Sequence, residues 1–155
     1  MKDLTGRTAL ITGASRGIGV YIARALADAG MHLLLAARSE PALAAVREQL
    51  ASTGVRIACM PTDLADRSQL NALAARADAE PDGISVLVNN AALEQAVPFD
   101  SVPPETLDQI LEVNLRAPVI LTRLLLPGMV TRGAGHVVNV SSVAGLMGAP
   151  YEEAY

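Results

Sequence analysis

Cysteine is almost absent from this 155-residue chain: Cys59 stands alone, so no internal disulfide can form. Met1, Lys2 and Asp3 are not followed by the apolar stretch of a secretory signal, and both absences fit a reducing, cytoplasmic setting. No block of Lys or Arg is dense enough to track a phosphate backbone. The 12 basic and 16 acidic residues are interspersed, the net charge is −4, and nucleic acid is not an expected partner. The greasiest segment, 119–126, is interrupted by Arg123 and followed by Pro127. It falls short of the ~20 apolar residues a bilayer span needs, so no membrane association is expected. Repeats and low-complexity tracts are missing. His32 and His136 begin apolar runs and are not spaced as metal ligands, so no metal site is expected.

What is present is a chain 51% hydrophobic, long enough to bury roughly 70% of its unfolded surface in one core spanning 1–155. Short, continuous apolar runs at 8–11, 32–35, 56–59, 84–88 and 136–140 read as strands buried on both faces, the condition of a parallel sheet covered by helices. Between them Ile18, Ile22, Ala25, Leu26 and Ala29 recur at helical spacing, with Gly30 placed to end the helix in a left-handed cap. Leu43, Val46 and Leu50 mark a second helix. A third starts at Asp66, whose carboxylate can accept an amide hydrogen bond while Gln69 reaches back. A fourth, from about 104 to 126, presents Leu107, Ile110, Leu111, Asn114, Leu121 and Leu125 to one side. The fold class is therefore α/β: a doubly wound parallel sheet of the Rossmann type. The proline-bearing stretch 92–104 reads as an exposed loop at the carboxyl end of a strand, where such sheets bind ligands.

Thr12, Gly13, Ala14, Ser15, Arg16, Gly17, Ile18 and Gly19 lie between the first strand and the first helix. Bare amides at that helix start can face a pyrophosphate; the alternative is a tight strand-to-helix connection and nothing more. No Lys-Ser or Lys-Thr follows the last glycine, which argues against a nucleoside-triphosphate P-loop. Asn89, Asn90 and Ala91 end the fourth strand, either as a turn or as part of a site. Asn114 sits among apolar helix positions, where an unsatisfied amide costs roughly 1–3 kcal/mol, so something should bond to it. Pro118, four residues on, has no N–H for the Asn114 carbonyl; that carbonyl is then open to water or ligand, or the helix simply kinks. Ser141 and Ser142 follow the fifth strand, and Tyr155 stands thirteen residues beyond Ser142.

In this order the glycine turn, the Asn-Asn-Ala segment, the helix asparagine, the serine pair and the tyrosine resemble the short-chain dehydrogenase/reductase family over essentially the whole chain. The resemblance implies the strand order 3-2-1-4-5, with Ser142 as the hydroxyl that orients substrate, Tyr155 as general acid/base and Asn114 as holder of a relay water. It assigns cofactor binding to Thr12, Gly13, Ser15, Arg16, Gly17, Ile18, Gly19, Arg38, Asp63, Leu64, Asn90 and Ala91. Two departures stand out. Ala92 replaces the family's glycine, and the family's lysine falls at position 159, beyond the last residue. The chain is accordingly expected to be a C-terminally incomplete domain, and a tyrosine without a neighbouring cation is a poor base at neutral pH.

The second strand ends Ala36, Ala37, Arg38, without the acidic residue that would bond the 2′-hydroxyl of NAD. Arg38 and Arg16 can instead clamp a 2′-phosphate, so NADP(H) is the expected cofactor and NAD(H) the alternative; the bland reading is two solvated arginines. The expected activity is hydride transfer between nicotinamide and a small ketone or secondary alcohol, in a full-length form that is a candidate homo-oligomer. The rival is a truncated, non-catalytic nucleotide-binding or interaction module.

Overall fold

A computed structural model describes residues 4–147. Its sheet has five strands, β1 (Thr8–Thr12), β2 (His32–Ala37), β3 (Ile57–Pro61), β4 (Ile84–Asn89) and β5 (His136–Asn139), in the order β3-β2-β1-β4-β5 with every pairing parallel. This is the expected doubly wound order. The helices are α1 (Ile18–Asp28), α2 (Glu40–Gln49), α3 (Arg67–Asp78), α4 (Pro104–Leu111) and α5 (Ala117–Thr131), with a π turn, Glu112–Arg116, joining the last two. Two apolar layers result. Leu10, Leu34 and Leu87 face α3 and α5 on one side. Ile11, Leu33, Leu35 and Val88 pack with α1 and α2 on the other.

Local chemistry explains the helix ends. Ser39 caps α2 by accepting from the Ala42 amide at 3.3 Å, with Pro41 in the first turn. Asp66 caps α3 through the Ser68 and Gln69 amides at 2.7 and 3.2 Å, and Gln69 reaches back to its carboxylate at 3.0 Å, as the sequence implied. Gly30 follows α1 with φ 80, the left-handed stop.

Three expectations are corrected. In α1 the buried residues are Gly19, Ala23 and Ala27, while Ala25 and Ala29 are exposed and Ile18 is 63% exposed. Gly19 lies directly against the glycine turn, Ala23 and Ala27 face the sheet, and the larger Val20, Ile22 and Leu26 pack against the same layer while only partly buried. In the fourth helical segment Leu111 is 55% exposed and Val113 and Ala117 are buried instead. A π turn follows, in which Ala117 N–H reaches back five residues to the Glu112 carbonyl; Leu111 lies before it, and Leu121 and Leu125 beyond it are buried as expected. Pro118 lies just beyond it, and Pro127 does not end the helix but sits inside α5. Finally, β5 is exposed along its length among the described residues, so its apolar run does not mark two-sided burial.

The segment Pro104–Thr131 is, by length and composition alone, capable of crossing a membrane. Here Ile110, Val113, Ala117, Leu121, Leu125 and Met129 are buried, and all but Ile110 belong to the core layer that contains Leu10 and Leu87. It is packed as a core helix.

Candidate functional site

The carboxyl ends of β1 and β4 are stitched together by Thr12 and Asn90. The Thr12 hydroxyl donates to the Val88 carbonyl at 3.3 Å and accepts from the amides of Asn90 and Ala91 at 3.0 and 3.1 Å. In return Asn90 Nδ2 donates to the Thr12 and Gly13 carbonyls at 3.0 and 3.2 Å. Ala14 N–H donates to the Ala36 carbonyl at 3.2 Å, tying the turn to β2 as well. Glycine is required where these chains meet. A Cβ on Gly13 would lie 2.7 Å from Ala91 Cα, and one on Gly19 would lie 2.3 Å from the Gly13 carbonyl oxygen. Gly17 differs: it caps α1 at φ 55, and a Cβ there would meet nothing within 4 Å.

That open space belongs to a cavity of about 760 Å³, within the usual range for small-molecule and cofactor sites. Gly13, Ser15, Arg16, Gly17, Ile18, Arg38, Asp63, Leu64, Asn90 and Ala91 all line it. The helix start beneath carries no side-chain cap and no acidic residue in its first turn, so nothing of the protein competes there for an anion. Thr12 and Gly19 do not line the cavity; they hold its floor in shape. Neither Arg16 nor Arg38 is ion-paired among the described residues, where the ion pairs join Arg56 and Arg76 to Glu80 and Arg116 to Glu112. One Asp63 carboxylate oxygen accepts from the Ala65 amide at 3.0 Å, and the Asp63 amide donates to Gln69 Oε1 at 2.8 Å. These residues fit a dinucleotide: open volume over a helix start, with Arg16 and Arg38 on its lining and in no ion pair among the described residues.

Asn114 has found its partner. Its Oδ1 accepts from the Leu93 amide and its Nδ2 donates to the Leu93 carbonyl, both at 2.8 Å, so a helix side chain holds the loop after β4 like a neighbouring strand. The side-chain amide is thus engaged by backbone. Ser142 lies just after β5, which β4 holds through Val140 N–H to the Asn89 carbonyl at 2.9 Å; its hydroxyl accepts from the Ala144 amide at 3.1 Å. Neither Asn114 nor Ser142 lines the cavity. Tyr155, Glu152 and Glu153 lie outside the described residues.

Sequence reasoning missed Ser39, Thr62, Leu93, Glu94 and Gln109, which also line the cavity. Ser39 carried a usable signal, a serine two residues before Pro41 at a helix start. Leu93 contributes backbone, which no side-chain pattern discloses.

The sequence family described as "short chain dehydrogenase" matches residues 7–155. A ketoacyl reductase, HetN, of Nostoc sp. is 41% identical over all of this chain, which spans 54% of that protein. A metagenomic short-chain oxidoreductase solved with NADP is 35% identical, with a TM-score of 0.93 over 99% of this chain and 70% of its own. A 3-oxoacyl (acyl-carrier-protein) reductase of Agrobacterium tumefaciens, solved with NADP bound, is 36% identical, with a TM-score of 0.91 over 98% of this chain and 58% of its own. The chain spans about half the length of the curated relatives it matches.

Proposed function

Because the chain belongs to the short-chain dehydrogenase family, we propose that it is the cofactor-binding portion of an oxidoreductase that uses NADP(H) in preference to NAD(H) to interconvert a small ketone and its secondary alcohol. The observation that carries this reading is the cavity over the start of α1, with Gly17 open to it and the unpaired Arg16 and Arg38 at its β1–β2 side. The backbone of the glycine turn takes the pyrophosphate, and the two guanidiniums take the 2′-phosphate in charge-assisted hydrogen bonds that a hydroxyl cannot match. Asp63 and Leu64 flank the adenine end. A bound nicotinamide supplies or accepts the hydride. Asn114 keeps the loop after β4 at fixed height through Leu93, Ser142 hydrogen-bonds the substrate oxygen, and Tyr155 moves the proton to or from that oxygen. An apolar stripe of Leu111, Leu115, Val119, Leu126 and Val130, each at least 45% exposed, supports a homo-oligomer of the whole protein.

Calorimetry with NADPH tests the binding site. A Gly17→Val chain, its fold checked by circular dichroism, should lose detectable binding, because the new side chain enters the pyrophosphate space. Undiminished affinity in a folded Gly17→Val chain would overturn the assignment.

A further inference from the structure

The charged lining of the cavity is divided along the sheet: Asp63, whose carboxylate accepts from the Ala65 amide, shares the β3-β2-β1 side with two arginines, while among the described lining residues Glu94 has no cation on its own side. In the order β3-β2-β1-β4-β5, Arg38 follows β2 and Arg16 sits in the turn after β1, whereas Glu94 lies on the loop that follows β4. Glu94 is exposed and lines the cavity together with Gln109 of α4. No ion pair engages it among the described residues. Relief from nearby sequence is lacking too: between Arg76 and Arg116 there are eight acidic residues and no Lys, Arg or His. Among the described lining residues Arg16 and Arg38 are the only cations, and they follow β1 and β2 where Glu94 follows β4.

We propose that Glu94 sets substrate charge: the β4–β5 end of the cavity selects ketones that are neutral or carry an ammonium group, and disfavours those carrying a carboxylate or phosphate. The inference rests on the reading of this cavity as an NADP(H)-dependent ketone site. The physics is that of a fixed carboxylate at the mouth of a site with partly low-dielectric walls. A ligand charge several ångströms away interacts with it by an amount worth roughly three- to tenfold in affinity, less as salt is added. The cofactor's phosphates do not share this penalty, because they lie toward the two arginines.

The test uses the protein expressed from its complete reading frame and three ketones of similar size: 2-pentanone, acetoacetate and 4-(trimethylammonio)butan-2-one. The dissociation constant of each for the NADPH complex is read from the change in bound-NADPH fluorescence, and kcat/KM from NADPH oxidation. Wild type should favour the ammonium ketone over acetoacetate. In Glu94→Gln that preference ratio should fall by roughly three- to tenfold, and the difference between the two proteins should shrink in high salt. A ratio unchanged in Glu94→Gln, or a preference for acetoacetate in wild type, would overturn the inference. Ketone binding with the expected charge order but no hydride transfer would instead refute the functional reading and leave the charge selection standing. Absence of NADPH binding would remove both.

Discussion

The two flanks of the sheet's carboxyl end are built differently. On the nucleotide flank, β1 and β4 are buried at every residue and β2 at its four central ones, and Thr12, Asn90, Gly13 and Gly19 interlock with tolerances of tenths of an ångström. On the β5 flank the strand is exposed, Val137 and Val138 are 38% and 45% accessible, and the loop after β4 is held chiefly by one asparagine side chain. A dinucleotide is the same molecule wherever it binds, so its cradle can be fixed by backbone. The β5 flank is held instead by side chains reaching across from separate elements, Asn89 to Asn139 and Asn114 to Leu93.

The comparison breaks most readily at its stiffest point. Gly19→Ala forces a methyl group to within 2.3 Å of the Gly13 carbonyl oxygen, a backbone atom that cannot swing aside. At least the ~1–3 kcal/mol typical of overpacking should be lost, together with NADPH affinity. Gly133→Ala, in the connection from α5 to β5, is the control: φ is 63 and a Cβ there meets nothing within 4 Å. It should cost only the left-handed backbone penalty, roughly 1–2 kcal/mol, and spare binding. Urea unfolding checks that both variants fold and NADPH titration compares them; equal loss of binding in the two would mean that the close approach at Gly19 has no special part in the site.

On the other side, Asn114→Leu keeps side-chain volume but strips the Leu93 amide and carbonyl of their partners, at about 1–3 kcal/mol for each group that stays buried. Hydrogen exchange at the Leu93 amide should accelerate while that of β1 and β2 hardly changes. Uniform acceleration across the sheet would mean that the loop is not separately held.

Arg38→Ala sharpens the cofactor end. Loss of one charge-assisted hydrogen bond should weaken NADPH roughly tenfold or more, with little change for NADH. If both cofactors weaken equally in calorimetry, the arginine is structural and the preference has another origin.

The strands themselves, the helix caps and the glycine turn were legible in the sequence because each rests on local chemistry: apolar runs of strand length, Asp66 with Gln69 three residues on, glycines where a chain must turn; the spatial order of the strands is not local and came with the family resemblance. The burial of the fourth helical segment was legible only in part: Ile110, Leu121 and Leu125 face the core as their spacing implies, but Leu111 and Val113 both continue the helical repeat from neighbouring positions and apolar spacing does not choose between them. The stripe expected on α1 failed similarly, because large apolar residues attract attention while Gly19, Ala23 and Ala27 are the buried ones. Glu94 and Gln109 were unreadable as lining of one cavity, being fifteen residues apart on a loop and a helix that Asn114 helps to draw together through Leu93.

The smallest expected effect joins a helix cap to the nucleotide flank. The Asp66 carboxyl is lowered to about 2 from its usual 3.8, first by the Ser68 hydroxyl, then by the Gln69 amide, the Gln69 side chain and the Ser68 amide. A carboxyl whose folded value is depressed stabilises the fold above its unfolded value, and that contribution disappears as pH falls toward 2. Asp66→Asn retains an N-cap acceptor, so the cap itself survives. Its amide group, however, would face Gln69 Nε2, and Gln69 cannot simply reverse because its Oε1 already accepts from the Asp63 amide at 2.8 Å. Wild type should therefore melt above the variant between pH 5 and 7, with the gap closing below pH 4. The strain should pass through Gln69 to Asp63 in the cavity wall, weakening NADPH slightly at neutral pH. Thermal melts across that range give the first comparison and NADPH titration the second. A gap that stays constant down to pH 2 would mean that the cap acts through geometry alone, with no share from the ionised carboxylate.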